Sequence, residues 1–267
     1  MTVHLMKLPY PEEFEKITLR AAERIKKENQ YIHSFGVELE GGVFATVIDE
    51  IEEWLERLGL SHRFDCGNDG SVNVPPPLAN NGIWINDAEL RFWIETERVE
   101  VLLELIVRLW KSGFRQNSSC GNHIHLKFYN NFYTLSLIFN ERFIKEFQRK
   151  YAIYARRRER KYGRKYLDRI NNRYCSFIND LTPFSALRAY QYSRYYAVNF
   201  VSVDEQETLE IRIMPHCSTA REYIENLIWL NRVINKLVDK FLKVRKLAVV
   251  RIAFPEEEIE EIEEVIV

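Results

Sequence analysis

Four cysteines in 267 residues, Cys66, Cys120, Cys175 and Cys217, stand far apart and form no C-x-x-C pair. That spacing argues against a zinc knuckle and against a disulfide scaffold, and suits thiols in a reducing compartment. No apolar run is long enough to span a bilayer. The start, Met1-Thr2-Val3-His4, lacks the basic and apolar regions of a secretory leader, so a cytoplasmic protein without membrane attachment is expected. Charge of one sign is also missing. With 38 basic against 39 acidic residues, no global field recruits nucleic acid. The chain has no Walker motif, kinase glycine loop or Rossmann fingerprint, so any ATP site must be built another way. Internal repeats and a linker that would force a two-domain split are absent. The expected organisation is one domain over residues 1–254 and an acidic tail over 255–267.

What is present is a hydrophobic fraction of 46% and a charged fraction of 29%, ordinary for a globular chain. Apolar residues at three and four spacing predict helices from Pro11 to about Gln30, from Thr46 to Leu58, from Glu97 to Lys111 and from Arg221 to Val244. Residues 131–170 also read as helical. Their first half is amphipathic, whereas Arg149 to Arg173 is dominated by Arg, Lys and Tyr. That basic run reads as a solvated face, or as a wall near an anionic ligand. Stacking on single-stranded nucleic acid is the weaker alternative.

Alternation predicts strands over Ser34–Glu40, closed by Gly41-Gly42, and over Glu89–Ile94. Asn80 to Asp87 reads as a loop and Phe64 to Ser71 as a turn-rich segment. Tyr195–Val203 is expected to pair as a hairpin with Thr208–Ile213 through Asp204–Glu207.

Three strand-like stretches carry polar pairs at i and i+2: Glu38 with Glu40, His123 with His125, and Glu210 with Arg212. Side chains two apart in a strand share a face, and the residues between are apolar. If the strands are neighbours, one sheet face collects carboxylates, imidazoles and a guanidinium. Such groups are costly to bury unless paired or coordinated, which favours a site over a packing surface. Carboxylates with one imidazole suit Mg²⁺ or Mn²⁺ better than zinc. Magnesium held by carboxylates usually serves phosphates, and Arg212 could hold a phosphoryl group or a carboxylate by its planar fork.

The ordered motifs Gly36-Val37-Glu38-Leu39-Glu40, Asp69-Gly70-Ser71, Cys120-Gly121-Asn122-His123-Ile124-His125, Arg173-Tyr174-Cys175, Arg194-Tyr195-Tyr196-Ala197-Val198-Asn199 and Thr208-Leu209-Glu210-Ile211-Arg212 resemble the amidoligase family. These are carboxylate–amine ligases with the glutamine synthetase fold, alongside glutamate–cysteine ligases and guanidino kinases. The resemblance implies an α+β fold, a curved, mainly antiparallel sheet with helices on its outer face. It also implies ATP-dependent amide bond formation through an acyl phosphate, with two or more Mg²⁺ ions.

By position, Glu38, Glu40, His123 and Glu210 are implied metal ligands, and His125, Arg194, Asn199 and Arg212 contact ATP. Arg212 also stabilises the transferred phosphoryl, Glu210 serves the metal between the phosphates, and Asp69 lines the substrate side. The family usually has an acid soon after the Asp-Gly-Ser turn, but Val72-Asn73-Val74-Pro75-Pro76-Pro77 supplies none. Glu89 is the substitute. Small-molecule or peptide carboxylates and amines are the implied partners, and a homo-oligomer is left open. A binding protein that keeps the fold without turnover, and a guanidino phosphotransferase, are the competing readings.

Overall fold

The computed structural model describes residues 12–77, 82–175, 177 and 195–253. Its centre is a six-stranded antiparallel sheet in the order β2-β3-β1-β4-β6-β5. The strands are β1 (Ile32–Phe44), β2 (Phe64–Asn68), β3 (Trp84–Glu95), β4 (Gly121–Phe128), β5 (Val198–Asn199) and β6 (Leu209–Pro215). The helices are α1 (Glu12–Glu28), α2 (Ala45–Arg57), α3 (Val99–Lys111), α4 (Asn131–Ile138), α5 (Glu141–Tyr162), α6 (Lys165–Asp168), α7 (Val201–Gln206) and α8 (Ala220–Ala253). None of the described helices is long and apolar enough to cross a membrane.

Alternation decides the layering. Val37 and Leu39 on β1, Leu90 and Phe92 on β3, Ile124 and Leu126 on β4, and Leu209 and Ile211 on β6 join one buried apolar cluster. Ile25 of α1, Leu102 and Ile106 of α3, and Leu227 and Ile234 of α8 belong to the same cluster. Each fully buried side chain of this kind contributes roughly 1.5–3 kcal/mol. The residues between them on each strand are left to the opposite face, where the polar pairs stand.

Several elements differ from the sequence expectation. Gly41-Gly42 does not close β1, which runs on to Phe44 with a register shift between Gly41 and Val43. A Cβ on Gly41 would sit 2.5 Å from the Phe114 ring, and one on Gly42 would sit 2.3 Å from Trp84. The glycines admit rings against the backbone rather than end the strand. Gly42 exchanges backbone hydrogen bonds with Arg115 at 2.8 and 3.0 Å, so pairing continues past the bend.

β3 begins at Trp84, inside the stretch read as a loop, and the turn-rich segment opens with edge strand β2. The expected hairpin is also different: β5 has two residues, and α7 intervenes before β6. Asn199 starts that turn by accepting the Val201 N–H at 2.9 Å. The 131–170 stretch is three helices. Asn140 caps α5 by accepting the Phe143 N–H at 2.8 Å, and Gly163 ends it with φ of 82°. The last helix extends past Val244 to Ala253, and the tail over 255–267 lies outside the described residues.

Candidate functional site

Register brings the three polar pairs together. Glu38 is paired with His123 of β4 on one side and Arg91 of β3 on the other. His125 is paired with Glu210, and Glu210 with Asn199 of β5. The shift between Asn122 and Ile124 in the β4–β6 ladder leaves His123 without a direct partner on β6. His123 Nδ1 nonetheless lies 3.0 Å from Glu38 Oε2 and 3.5 Å from Glu210 Oε1.

Glu38, Glu89, His123, His125, Asn199, Glu210 and Arg212 line one cavity of about 540 Å³. That is within the range of small-molecule sites, roughly 300–1,000 Å³. Asn68 of β2 and Asp69 and Gly70 of the Asp-Gly-Ser turn form its rim on the β2 side, and α7 contributes Val201, Ser202 and Gln206 on the other. A second cavity of about 420 Å³ adjoins it along the same face and shares Glu38, Arg91, His125 and Gln206. Half-exposed Trp93 and Lys127 line it.

Glu38, His125 and Glu210 each bring one ligand atom within 4.8 Å of the others. His125 Nδ1 is 3.0 Å from Thr208 Oγ1. Its Nε2 lies 3.2 Å from Glu38 Oε1 and 4.0 Å from Glu210 Oε1, yet is buried and makes no aligned hydrogen bond. An orphaned buried nitrogen facing two carboxylates fits a divalent ion, which would give that nitrogen a partner. Hard oxygens with one imidazole suit Mg²⁺ or Mn²⁺. Burial resists ionisation of Glu38, but the His123 hydrogen bond and the charge of the two imidazoles outweigh it and hold its carboxyl far below the usual range.

The remaining acids are engaged differently. Glu40 lies behind His123, 3.4 Å from Nε2, accepts the Gly121 N–H and does not line the cavity. Glu89 also lines the cavity, from β3. Its carboxylate is bound by Arg91. Burial, then the charge of Glu38, pushes Glu89 up, against the pull of Arg91. Asp69 turns its Oδ1 to its own turn, accepting from Ser71 N at 2.8 Å and Ser71 Oγ at 2.7 Å.

Asn199 donates to Glu210 Oε2 at 2.5 Å, and Arg212 Nη1 lies 2.5 Å from Glu210 Oε1. Arg212 is also anchored through its carbonyl, which accepts from Arg169 Nη2 at 2.7 Å. Arg194 lies outside the described residues. His216 stands off the cavity; burial first, then Lys165 and Arg169, lower it to about 4, so it is neutral.

The basic run does not form a wall of this cavity: among the described residues, none of 149–173 lines it. Arg158 instead binds Glu225 of α8 and lies over the Tyr162 ring at 4.0 Å. Lys161 and Lys165 reach Glu225 and Glu222 at 3.0 and 2.9 Å. These three tie α5 and α6 to α8, while Arg149, Arg156, Arg157 and Arg160 are exposed.

Arg91 is the site residue that sequence reasoning missed. It lines both cavities. The signal was available, since Glu89-Leu90-Arg91 repeats the Glu-x-Arg spacing of Glu210-Ile211-Arg212. No protein-family model matches the chain, and no curated protein matches it.

Proposed function

We propose that this chain is an ATP-dependent ligase with a glutamine synthetase-like fold, joining a carboxylate to an amine or to ammonia. The observation that carries the reading is the convergence of Glu38, His125 and Glu210 around an unsatisfied imidazole nitrogen, with Arg212 beside them in the same cavity.

In this reading Glu38, Glu210 and His125 hold Mg²⁺ or Mn²⁺, with His123 behind Glu38. The ion neutralises phosphate charge when bound. Arg212 presents a planar fork to the transferred phosphoryl group. A substrate carboxylate oxygen attacks the γ-phosphorus, the bond to the β–γ bridging oxygen breaks, and ADP departs. The amine nitrogen then attacks the acyl carbon, the carbon–oxygen bond to phosphate breaks, and the nitrogen loses a proton. A site of this kind gains most of its rate from positioning and fixed charge. Asn199 keeps Glu210 aimed at the ion, and Asp69 stands on the substrate side of the rim.

The test is ADP and phosphate release that requires both a carboxylate and an amine, screened in pairs with mass spectrometry of the product. Mg²⁺ with ATP is expected to raise the melting temperature of chain stripped with EDTA, and Glu210→Gln to abolish that rise with an unchanged circular dichroism spectrum. No rise with the wild-type chain ends the proposal.

A further inference from the structure

Each of the four carboxylates of the face has a partner of its own, Glu38 in His123 and Glu210 in Asn199 and Arg212. Glu40 is committed to the Gly121 N–H and stands behind His123. Glu89 is committed to Arg91 Nη2, while Arg91 Nη1 donates to Asp65 Oδ2 at 3.0 Å. Glu210 is held by Asn199 and Arg212, and among the described residues Glu38, His125 and Glu210 form the cluster that could hold an ion.

Arg91 is held by its register. It is the direct cross-strand partner of Glu38 on β1 and of Asp65 on β2, and Glu89 stands two positions before it on β3. Carboxylates from three adjacent strands therefore surround one guanidinium. A planar fork can bind two carboxylates at once, which an ammonium on a flexible stem does less well. Arginine also stays charged at any working pH, so its positive charge does not depend on ion concentration. It has five N–H donors, and Asp65 and Glu89 leave some for an anion in either cavity.

We propose that the Arg91 guanidinium is a built-in cation standing where a second divalent ion would otherwise sit, so that the site takes a single divalent ion on Glu38, His125 and Glu210. This rests on the ligase reading and sharpens it: one ion and one fixed guanidinium face the phosphates. An ion at Glu89 would have to displace Arg91 from Glu89 and then stand beside it, and two cations so close repel.

The test is a Mn²⁺ titration of the EDTA-stripped full chain, with free Mn²⁺ followed by electron paramagnetic resonance. The wild type is expected to bind one ion per chain, Arg91→Lys one, and Arg91→Met two, since the methionine frees Glu89 and Asp65. Arg91 is half-exposed, and circular dichroism checks that both variants fold. A wild type that binds two ions or none, or an Arg91→Met chain that still binds one with unchanged affinity, overturns the proposal. The ligase reading fails separately, if Mg²⁺ with ATP does not stabilise the chain whatever the Mn²⁺ count.

Discussion

Glu38 stands directly across from His123 on neighbouring strands, with Oε2 3.0 Å from Nδ1, and turns its other oxygen to His125 at 3.2 Å. One carboxylate thus meets two imidazoles in a mostly buried site. Because its carboxyl is held far below the usual range, it contributes stability above the unfolded value, about 4.3. That contribution is lost as pH falls towards the lower folded value. Glu38→Gln is expected to be less stable than wild type at pH 7 without ions. The gap should close on acidification below about pH 4, measured by urea unfolding.

Glu89 has the opposite sign. Burial and Glu38 raise its carboxyl, so the ionised form costs stability above the folded value, and the cost disappears as pH falls through it. Glu89→Gln is expected to raise the melting temperature of ion-free chain at pH 8, with a gain that shrinks towards pH 4. A gain independent of pH would contradict this sign.

Arg158 links α5 to α8 through Glu225 and stacks on Tyr162. Burial resists ionisation of Glu225, but the Arg158 hydrogen bond and those of Lys161 and Tyr162 hold it down at about 2. Arg158→Ala is expected to cost roughly 2 kcal/mol, as loss of a charged hydrogen bond in a largely buried place. It should also flatten the loss of stability between about pH 4.5 and 2 seen in wild type. Binding of Mn²⁺ and ATP should be unchanged, because Arg158 does not line the cavity.

Asn199 donates to Glu210 and accepts from Val201 N, so it fixes the carboxylate and starts α7 together. Asn199→Ala is expected to weaken Mn²⁺ affinity by about 10–100-fold, the usual effect of removing a group that orients a ligand. A Mn²⁺ titration reads this directly, and an unchanged affinity would deny Asn199 that role.

Gly41 lies under the Phe114 ring where β1 bends. Gly41→Ala is expected to cost at least about 1–3 kcal/mol through overpacking, read as a lowered urea midpoint. The neighbouring backbone carbonyl of Arg115, 2.6 Å from the added carbon, cannot turn aside as a side chain would.

Much of the site was legible because strand periodicity is local. Glu38 with Glu40, His123 with His125 and Glu210 with Arg212 each had to share a face once their segments were strands, and the apolar residues between them had to face a core. Those patterns needed no knowledge of any other part of the chain. The bend at Gly41 and the helix inside the expected hairpin were harder, since rings from Phe114 and Trp84, and the Asn199 cap, come from packing and turn chemistry.

Which segments become neighbours is not a local property. His123 meets Glu38 across 85 positions, and the partners of Arg158 and Lys165 on α8 lie 67 and 57 positions away. Basic residues therefore read alike in sequence whether they face a ligand or a helix. Strand alternation by itself determined that acids, imidazoles and guanidiniums would stand on polar faces. The tertiary structure decided the rest through register, placing Glu40 against His123 and Gly121, Arg91 among three strands' carboxylates, and His125 Nε2 between Glu38 and Glu210 without a hydrogen bond of its own.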